Sequence, residues 1–270
     1  MNRLPRAGAL IAVILSAGCG AARIALPSGP GSPAADALDV LRQATARCRE
    51  VRSYSAELAV SGRANGQRLR GRVLVGLAAP ASALLDATAP FGASIFIYAA
   101  ADGRVTLLLP RDRRVLQDDD PAAVLEAVTG VPLDPADLRR MLTGCVPDPE
   151  PGGGRAFGAS WRAVPVAGGE AFLRREGDAA PWRLVAVTHG QGQAGWRAEF
   201  SSFEGALPST IRLESGDGGR RFNLRLVLSD AEVNPGLAPE VFEIRVPASA
   251  DPISLEELRR SGPLGAPGDS

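Results

Sequence analysis

The sequence has no lysine and a single histidine, so its 30 basic residues are all arginine. Its formal net charge is +0 at pH 7, and nothing in this balance points to nucleic acid as a partner. His189 stands in Val-Thr-His-Gly without a cluster of Cys, His or Asp at metal-ligand spacing around it. No serine lies in a Gly-x-Ser-x-Gly context, and residues 152–154 lack the Lys-Ser/Thr of a phosphate-binding loop. We therefore expect no enzymatic activity, no metal and no cofactor.

Cysteine is also scarce, with three residues in the whole chain. Cys48 and Cys145 lie on the apolar sides of predicted helices, and an oxidising compartment would allow them to form a disulfide. Two buried free thiols are the alternative, since buried cysteine packs as a small apolar residue. The sequence does not give the distance between them, so both interpretations stay open.

The only long apolar run is near the start, where MNRLPR is followed by AGALIAVILSAGC. A basic head, a short apolar body and small residues are typical of a secretory signal peptide. The run is shorter than the roughly 20 residues that a membrane-spanning helix needs. Leu15, Ser16, Ala17, Gly18 and Cys19 stand in the order of a lipobox, and here the chain resembles bacterial lipoprotein precursors. The alternative is an ordinary signal peptide with a chance cysteine.

This resemblance divides the chain into segments. It implies a signal peptide over 1–18 and a new N-terminus at Cys19, which carries acyl chains. Residues 19–32, rich in Ala, Gly, Pro and Ser, then form a flexible tether. Residues 33–261 form one domain, and 262–270 a disordered tail. In enterobacterial lipoproteins an aspartate after the cysteine retains the protein at the inner membrane; Gly20 stands there, which favours the outer membrane on its periplasmic face.

The domain begins with an amphipathic pattern that predicts a helix from a cap at Ser32 to Val51. Alternating apolar and polar residues then predict antiparallel strands. These lie within residues 54–60, 69–77, 83–88, 93–100, 104–109, 113–117, 196–200, 211–213, 222–228 and 242–246.

Two short helices are predicted to interrupt the strands. Asp120 with Pro121 and Asp134 with Pro135 each place a capping carboxylate before a proline at the first helical position. A further short helix is predicted at 255–258. The sequence therefore indicates an α+β fold, a single highly curved antiparallel β-sheet, or half-barrel, covering a few α-helices.

The order of these elements resembles that of LolB-like outer-membrane lipoprotein receptors of the LolA/LolB half-barrel superfamily. One carrying segment is ALLDATAPFGASIFIYAAADGRVTLLLPRDRRVLQDDDPAAVLEAVTGVPLDPADLRRMLTG, residues 83–144. The other is LPSTIRLESGDGGRRFNLRLVLSDAEV, residues 207–233. The chain departs from the family in the loop 147–154 and in extra sequence after Asn234.

The resemblance implies that the protein accepts lipoproteins from a LolA-like periplasmic carrier and inserts them into the outer membrane. It places Pro90, Phe91 and Gly92 in a protruding loop, with Phe91 as the membrane-touching side chain. A Phe91 folded back into the core is the alternative. A lipid- or glycolipid-binding lipoprotein or an envelope sensor of the same fold is the alternative function.

A carrier of acyl chains needs an apolar cavity, and strand alternation gives its candidate lining. The inward candidates are Leu58, Val60, Val73, Val75, Ile95, Ile97, Trp196, Phe200, Ile211, Leu213, Phe222 and Leu224. The same pattern also describes an ordinary filled core. We expect a monomer that binds lipoprotein acyl chains or another lipid and meets the membrane through acylated Cys19.

Overall fold

The computed structural model of the protein describes residues 23–90, 92–190 and 195–261. Cys19, Phe91 and the predicted signal peptide and tail lie outside these ranges. The described strands are β1 (Ser32–Ala34), β2 (Ser53–Ala64), β3 (Gln67–Ala78), β4 (Ser82–Thr88), β5 (Ser94–Ala101), β6 (Arg104–Leu109), β7 (Arg114–Gln117), β8 (Gly154–Phe157), β9 (Trp161–Val166), β10 (Gly169–Arg174), β11 (Arg183–His189), β12 (Trp196–Glu204), β13 (Leu207–Ser215), β14 (Phe222–Val233) and β15 (Asp251–Pro252). The helices are α1 (Ala37–Ala44), α2 (Ala46–Arg49), α3 (Pro121–Thr129), α4 (Pro135–Thr143) and α5 (Leu255–Ser261), with a 3₁₀ helix at Pro239–Phe242.

All fifteen strands form one open sheet, in the order β1-β8-β9-β10-β11-β12-β13-β14-β2-β3-β4-β5-β6-β7-β15. The strands β2 to β7 form one meander and β8 to β14 a second, each built of sequence neighbours. The two join where β14 pairs antiparallel with β2, from Phe222 opposite Ala64 to Val233 opposite Tyr54. Only β15, which runs parallel to β7, departs from the antiparallel pattern.

The sheet is strongly curved, as its contacts with α4 show. This helix contacts β3, β4 and β13. Since β14 and β2 lie between β13 and β3 in the sheet, a short helix reaches these strands only if the sheet bends around it. On the same side α1 packs against β8 to β11, and α3 packs against β6, α4 and α5. The prediction of a large curved antiparallel sheet with few helices is confirmed.

The caps of α3 and α4 are those that the sequence predicts. The Asp120 carboxylate accepts hydrogen bonds from the amides of Ala122 and Ala123, and Asp134 accepts one from Asp137. Both helices end at a glycine in the left-handed region, with φ of 74° and 68°.

The start of the first helix differs from the prediction. Ser32 is not its cap, because Ser32–Ala34 pairs as strand β1 with β8. The helix begins only after Asp36, whose carboxylate accepts two hydrogen bonds of 2.9 Å from Arg162 instead of capping.

The predicted strand at 242–246 is wrong. Residues 243–248 form no strand, and Phe242 ends the 3₁₀ helix that packs against β4 and β5. Pro235, Pro239 and Pro247 lack the amide hydrogens that a strand needs for pairing. The segment therefore covers the outer face of the sheet as an extended strap.

Both edges of the sheet end in very short strands that contain proline. At one edge β1 is three residues long with Pro33 at its centre, and at the other β15 is two residues long and ends at Pro252. Within the described ranges, no helix is long and apolar enough to cross a membrane.

Cys48 and Cys145 form a disulfide, with Cα atoms 5.5 Å apart and a sequence separation of 97. The structure thus decides between the two interpretations of these residues. Cys48 lies in α2 and Cys145 follows α4, so the bond fixes the C-terminal end of α4 to the N-terminal helices.

Replacing both cysteines by alanine should lower the free energy of unfolding by about 4 to 5 kcal/mol, because the bond closes a long loop in the unfolded chain. Urea unfolding of the oxidised chain and the double variant measures this. Reduction of the native chain serves as the control and should reproduce the loss. Equal stability in all three states would contradict the expectation.

Candidate functional site

An apolar cavity of about 130 Å³ lies between the sheet and the helices α3 and α4. Its walls come from six adjacent strands, β13, β14 and β2 to β5, and from both helices and their connection. The apolar lining side chains are Leu58, Val60, Leu69, Val73, Leu85, Ala87, Ile95, Phe96, Leu125, Val131, Leu133, Leu138, Met141, Leu213, Leu224 and Leu226.

The exposure of the lining shows where the cavity opens. Leu58 and Leu85 are buried, whereas Val60, Leu69 and Ile95 are half-buried. The half-buried residues lie toward the hairpins 64–67 and 88–94. These two hairpins and the hairpin 215–222 lie at the same ends of their strands, and we call the three together the mouth rim.

A glycine helps to keep the space beside the mouth free. Gly71 occupies an inward position between Leu69 and Val73, and a Cβ there would lie 2.8 Å from the carbonyl oxygen of Thr88. A side chain at this position would therefore push β3 away from β4. The glycine permits close strand approach and leaves the cavity wall without a side chain.

Six of the twelve residues predicted for the cavity lie in its lining: Leu58, Val60, Val73, Ile95, Leu213 and Leu224. Five more are buried near it without lining it, or line another space. Val75, Ile211 and Phe222 belong to the packed core. Trp196 and Phe200 line a separate space of about 20 Å³ beside Met141.

Ile97 is the residue whose side was predicted wrongly. Between β4 and β5 the register shifts, with Ala87 opposite Phe96 and Thr88 opposite Ser94. Ile95 is the extra residue of this β-bulge, so the alternation changes by one. Phe96 and Tyr98 point into the core, and Ile97 lies on the outer face.

The helical half of the lining was absent from the sequence-based set. Leu125, Val131, Leu133, Leu138 and Met141 all contribute to it. The apolar stripes of the two capped helices could have indicated Leu125, Leu138 and Met141, because such stripes face the sheet. Val131 and Leu133 lie in the connection between the helices, where no such stripe exists.

The loop between β4 and β5 lies on the mouth rim. It is tightly closed, since Ala89 donates to the carbonyl of Ala93 at 2.9 Å and Gly92 donates to that of Ala89 at 2.8 Å. Pro90 and Gly92 are exposed. Phe91, between them, lies outside the described residues. Thr88 and Ile95, which flank the loop, line the cavity, so this loop is directly beside the opening.

The outer face of the sheet at the mouth rim is basic. Arg63, Arg68, Arg70 and Arg225 are exposed there, and none of them forms an ion pair within the described part of the chain. Arg63 lies directly opposite Arg68 in the pairing of β2 with β3. Like charges at such a pair destabilise a sheet. An anionic group that contacts this basic face would reduce the repulsion.

His189 ends β11 and stacks on Trp196, with ring centroids 5.2 Å apart. Among the residues that the structure describes, no three His, Cys, Asp or Glu side chains are grouped to hold a metal ion.

No family model matches the chain. It is similar to the outer-membrane lipoprotein LolB of Bordetella petrii, with 28% identity over 145 residues, which are 54% of this chain. The match spans 60% of the length of that relative.

Among solved structures, the chain is similar to a LolA superfamily protein from Nitrosomonas europaea. The TM-score is 0.52 at 13% identity, covering 77% of this chain and 97% of that one. A DUF1329 family protein from Desulfovibrio piger has a TM-score of 0.49 at 12% identity, covering 78% and 98%. The chain has a LolA/LolB-like fold.

Filling the cavity should weaken the binding of a fluorescent fatty acid. Val73→Trp places an indole in the opening and should displace about two methylenes of ligand. At about 0.8 kcal/mol per methylene, this should raise Kd roughly tenfold. Leu74→Trp is the matched control, because Leu74 is 53% exposed on the opposite face of the same strand. If both variants bind like the native chain, the cavity is not the binding site.

Proposed function

We propose that this protein is a membrane-anchored lipoprotein that binds lipid acyl chains in the cavity of its curved sheet. In its full form the proposal is that it accepts lipoproteins from a LolA-like periplasmic carrier and inserts them into the outer membrane. The observation that carries it is the apolar cavity, which opens beside an exposed loop. The similarity to the outer-membrane lipoprotein LolB of Bordetella petrii supports the same role and location.

We also propose that the sheet forms a half-barrel with α3 and α4 on its concave side. In this arrangement the helices are the movable wall of the cavity and the strands are its fixed wall. Transfer then requires no nucleotide, because each step follows the difference in buried apolar area between one cavity, the next and the bilayer.

The size of the cavity implies that it must widen to take its cargo. A dry protein cavity of about 150 Å³ holds one benzene molecule, and the cavity here is about 130 Å³. An acyl chain therefore needs more room than a cavity of this size offers. The disulfide at Cys145 fixes the end of α4. The connection between α3 and α4, with Val131 and Leu133 in the lining, is free of that bond and is the part that moves.

Anchoring comes from acylation at Cys19 in this proposal. Each buried methylene contributes about 0.8 kcal/mol, so several acyl chains hold the protein on the bilayer permanently.

Cys19→Ser should release the chain from the membrane fraction and remove the acyl mass from its N-terminal peptide, as mass spectrometry and fractionation would show. Ser28→Ala is the control and should remain on the membrane. A membrane-bound Cys19→Ser chain would argue against acylation as the anchor.

Receptor activity is tested with a chain lacking residues 1–19 and a LolA-like carrier loaded with lipoprotein. Cargo should move to this chain, and from it into liposomes. Phe91→Glu should abolish the liposome step without preventing acceptance, because a charged loop tip does not enter the bilayer. Ala179→Glu is the matched control, because Ala179 is exposed in the loop between β10 and β11, at the strand ends opposite the mouth rim.

The outcomes separate the alternatives. If Phe91→Glu accepts cargo and inserts it normally, the receptor proposal stands and the proposed role of the loop is wrong. Cargo that stays on a competent carrier would overturn the receptor proposal. Lipid extracted from the purified chain would then identify it as a lipid- or glycolipid-binding lipoprotein.

A further inference from the structure

The N-terminal segment does not leave the domain as a free tether. Arg23 Nε lies 3.1 Å from Glu214 Oε2. The amide of Ile24 donates to Glu199 Oε2 at 3.2 Å, and the guanidinium of Arg197 donates to the carbonyl of Ile24. Residues 23–26, which the sequence placed in a flexible tether, are thus fastened to the outer face of β12 and β13.

The two carboxylates that receive this segment are unusual for an outer sheet face. Glu199 is 4% exposed and Glu214 is 2% exposed. A buried carboxylate is stable only when its charge is paired and its oxygens are hydrogen-bonded. Arg197 pairs with Glu199 and Arg212 with Glu214, and the N-terminal segment adds a further partner to each.

Apolar packing continues the attachment. Leu26 packs against a small cluster on β9 to β11 that is separate from the main core. Its buried members are Ala163, Phe172 and Ala186. Two kinds of contact, ionic and apolar, therefore hold residues 23–26 in place, and we call these residues the latch.

The latch lies at the mouth rim. Glu214, the residue that binds Arg23, is next to Leu213, which lines the cavity from the other face of the same strand. The hairpin that follows Ser215 belongs to the mouth rim, as does Ala64, which lies opposite Phe222. The attachment point of the N-terminal segment and the opening of the cavity are thus on the same edge of the sheet.

The latch shortens the reach of a lipid anchor. A free tether over residues 20–32 could extend about 45 Å, at up to about 3.6 Å per residue. With the latch closed, only the residues between Cys19 and Arg23 remain, which span at most about 14 Å.

We propose that the latch holds the acylated N-terminus at the mouth rim, so that the cavity opening and the basic face are turned toward the phospholipid headgroups of the bilayer. The inference rests on the proposed function only in requiring acylated Cys19. Anionic headgroups are the partners that Arg63, Arg68, Arg70 and Arg225 then meet.

Two insertions of the same flexible sequence test this orientation. About twelve Gly and Ser residues, with a mean span of about 20 Å, are placed either after Gly20 or after Gly29 in the full acylated chain. Gly29 is exposed and lies beyond the latch. If the latch is closed, the insertion after Gly29 should leave the orientation of the chain on the membrane unchanged. If residues 20–32 form a free tether, both insertions should change the orientation equally.

The readout is energy transfer to headgroup-labelled lipid in vesicles of phosphatidylethanolamine and phosphatidylglycerol. The donor dye is attached at Gln67→Cys on the mouth rim or at Ala179→Cys in the loop at the opposite strand ends. Both positions are exposed. In the native chain and the Gly29 insertion, transfer should be strong from position 67 and weak from 179. The Gly20 insertion should lose most of this difference.

Equal transfer from the two positions in the native chain, or equal loss in the two insertions, would overturn the proposal. Cargo acceptance by the chain lacking residues 1–19 is measured separately and does not depend on the insertions. If the chain fails to accept cargo but keeps its orientation on the membrane, the receptor proposal is wrong and the latch proposal stands.

A second measurement needs no membrane. In the soluble chain, the amide hydrogen of Ile24 should exchange slowly, and Arg23→Ala together with Leu26→Ser should speed its exchange. Ser28→Ala, outside the latch, should leave the exchange unchanged. Fast exchange of Ile24 in the native chain would show that the latch is open in solution.

Discussion

The antiparallel pairing of β14 with β2 is the interaction on which the rest of the structure depends. Every other antiparallel pair except β1 with β8 joins neighbours in sequence, and so could form within a separate meander. The β14–β2 pair connects Val233 to Tyr54 and turns two small sheets into one curved surface. Without it, Leu213 and Leu224 of one meander would not share a cavity with Leu58 and Val73 of the other.

The cavity remains open because its parts resist collapse in different ways. The strand wall is fixed by continuous pairing, and Gly71 brings β3 close to β4 without filling the inward space. The disulfide ties the C-terminal end of α4 to α2 and so fixes that end of the helix. An apolar space of this kind differs from an ordinary core, which is packed to the density of an organic crystal.

The sequence predicts much of this fold because local signals and burial agree over most of the chain. The caps at Asp120 and Asp134 and the alternation in β2 to β7 follow from short-range chemistry. The side of Ile97 could not be predicted, since a β-bulge depends on the pairing partner as well as on the strand itself. Ser32 likewise suits a helix cap, and only the distant strand β8 makes it part of the sheet. The contacts of Arg23 depend on β12 and β13, far away in sequence, so local composition favoured a tether there.

The proline-containing edges of the sheet have a consequence for how copies of the protein meet. A membrane confines its proteins to two dimensions, where side-by-side encounters are frequent and an open sheet edge can recruit another strand. Here each edge is only two or three residues long, and Pro33 and Pro252 have no amide hydrogen to donate. The ladder therefore has no regular site for extension at either end. On the proposed membrane, neighbouring copies would then lie side by side without joining the single open sheet that the fifteen described strands form.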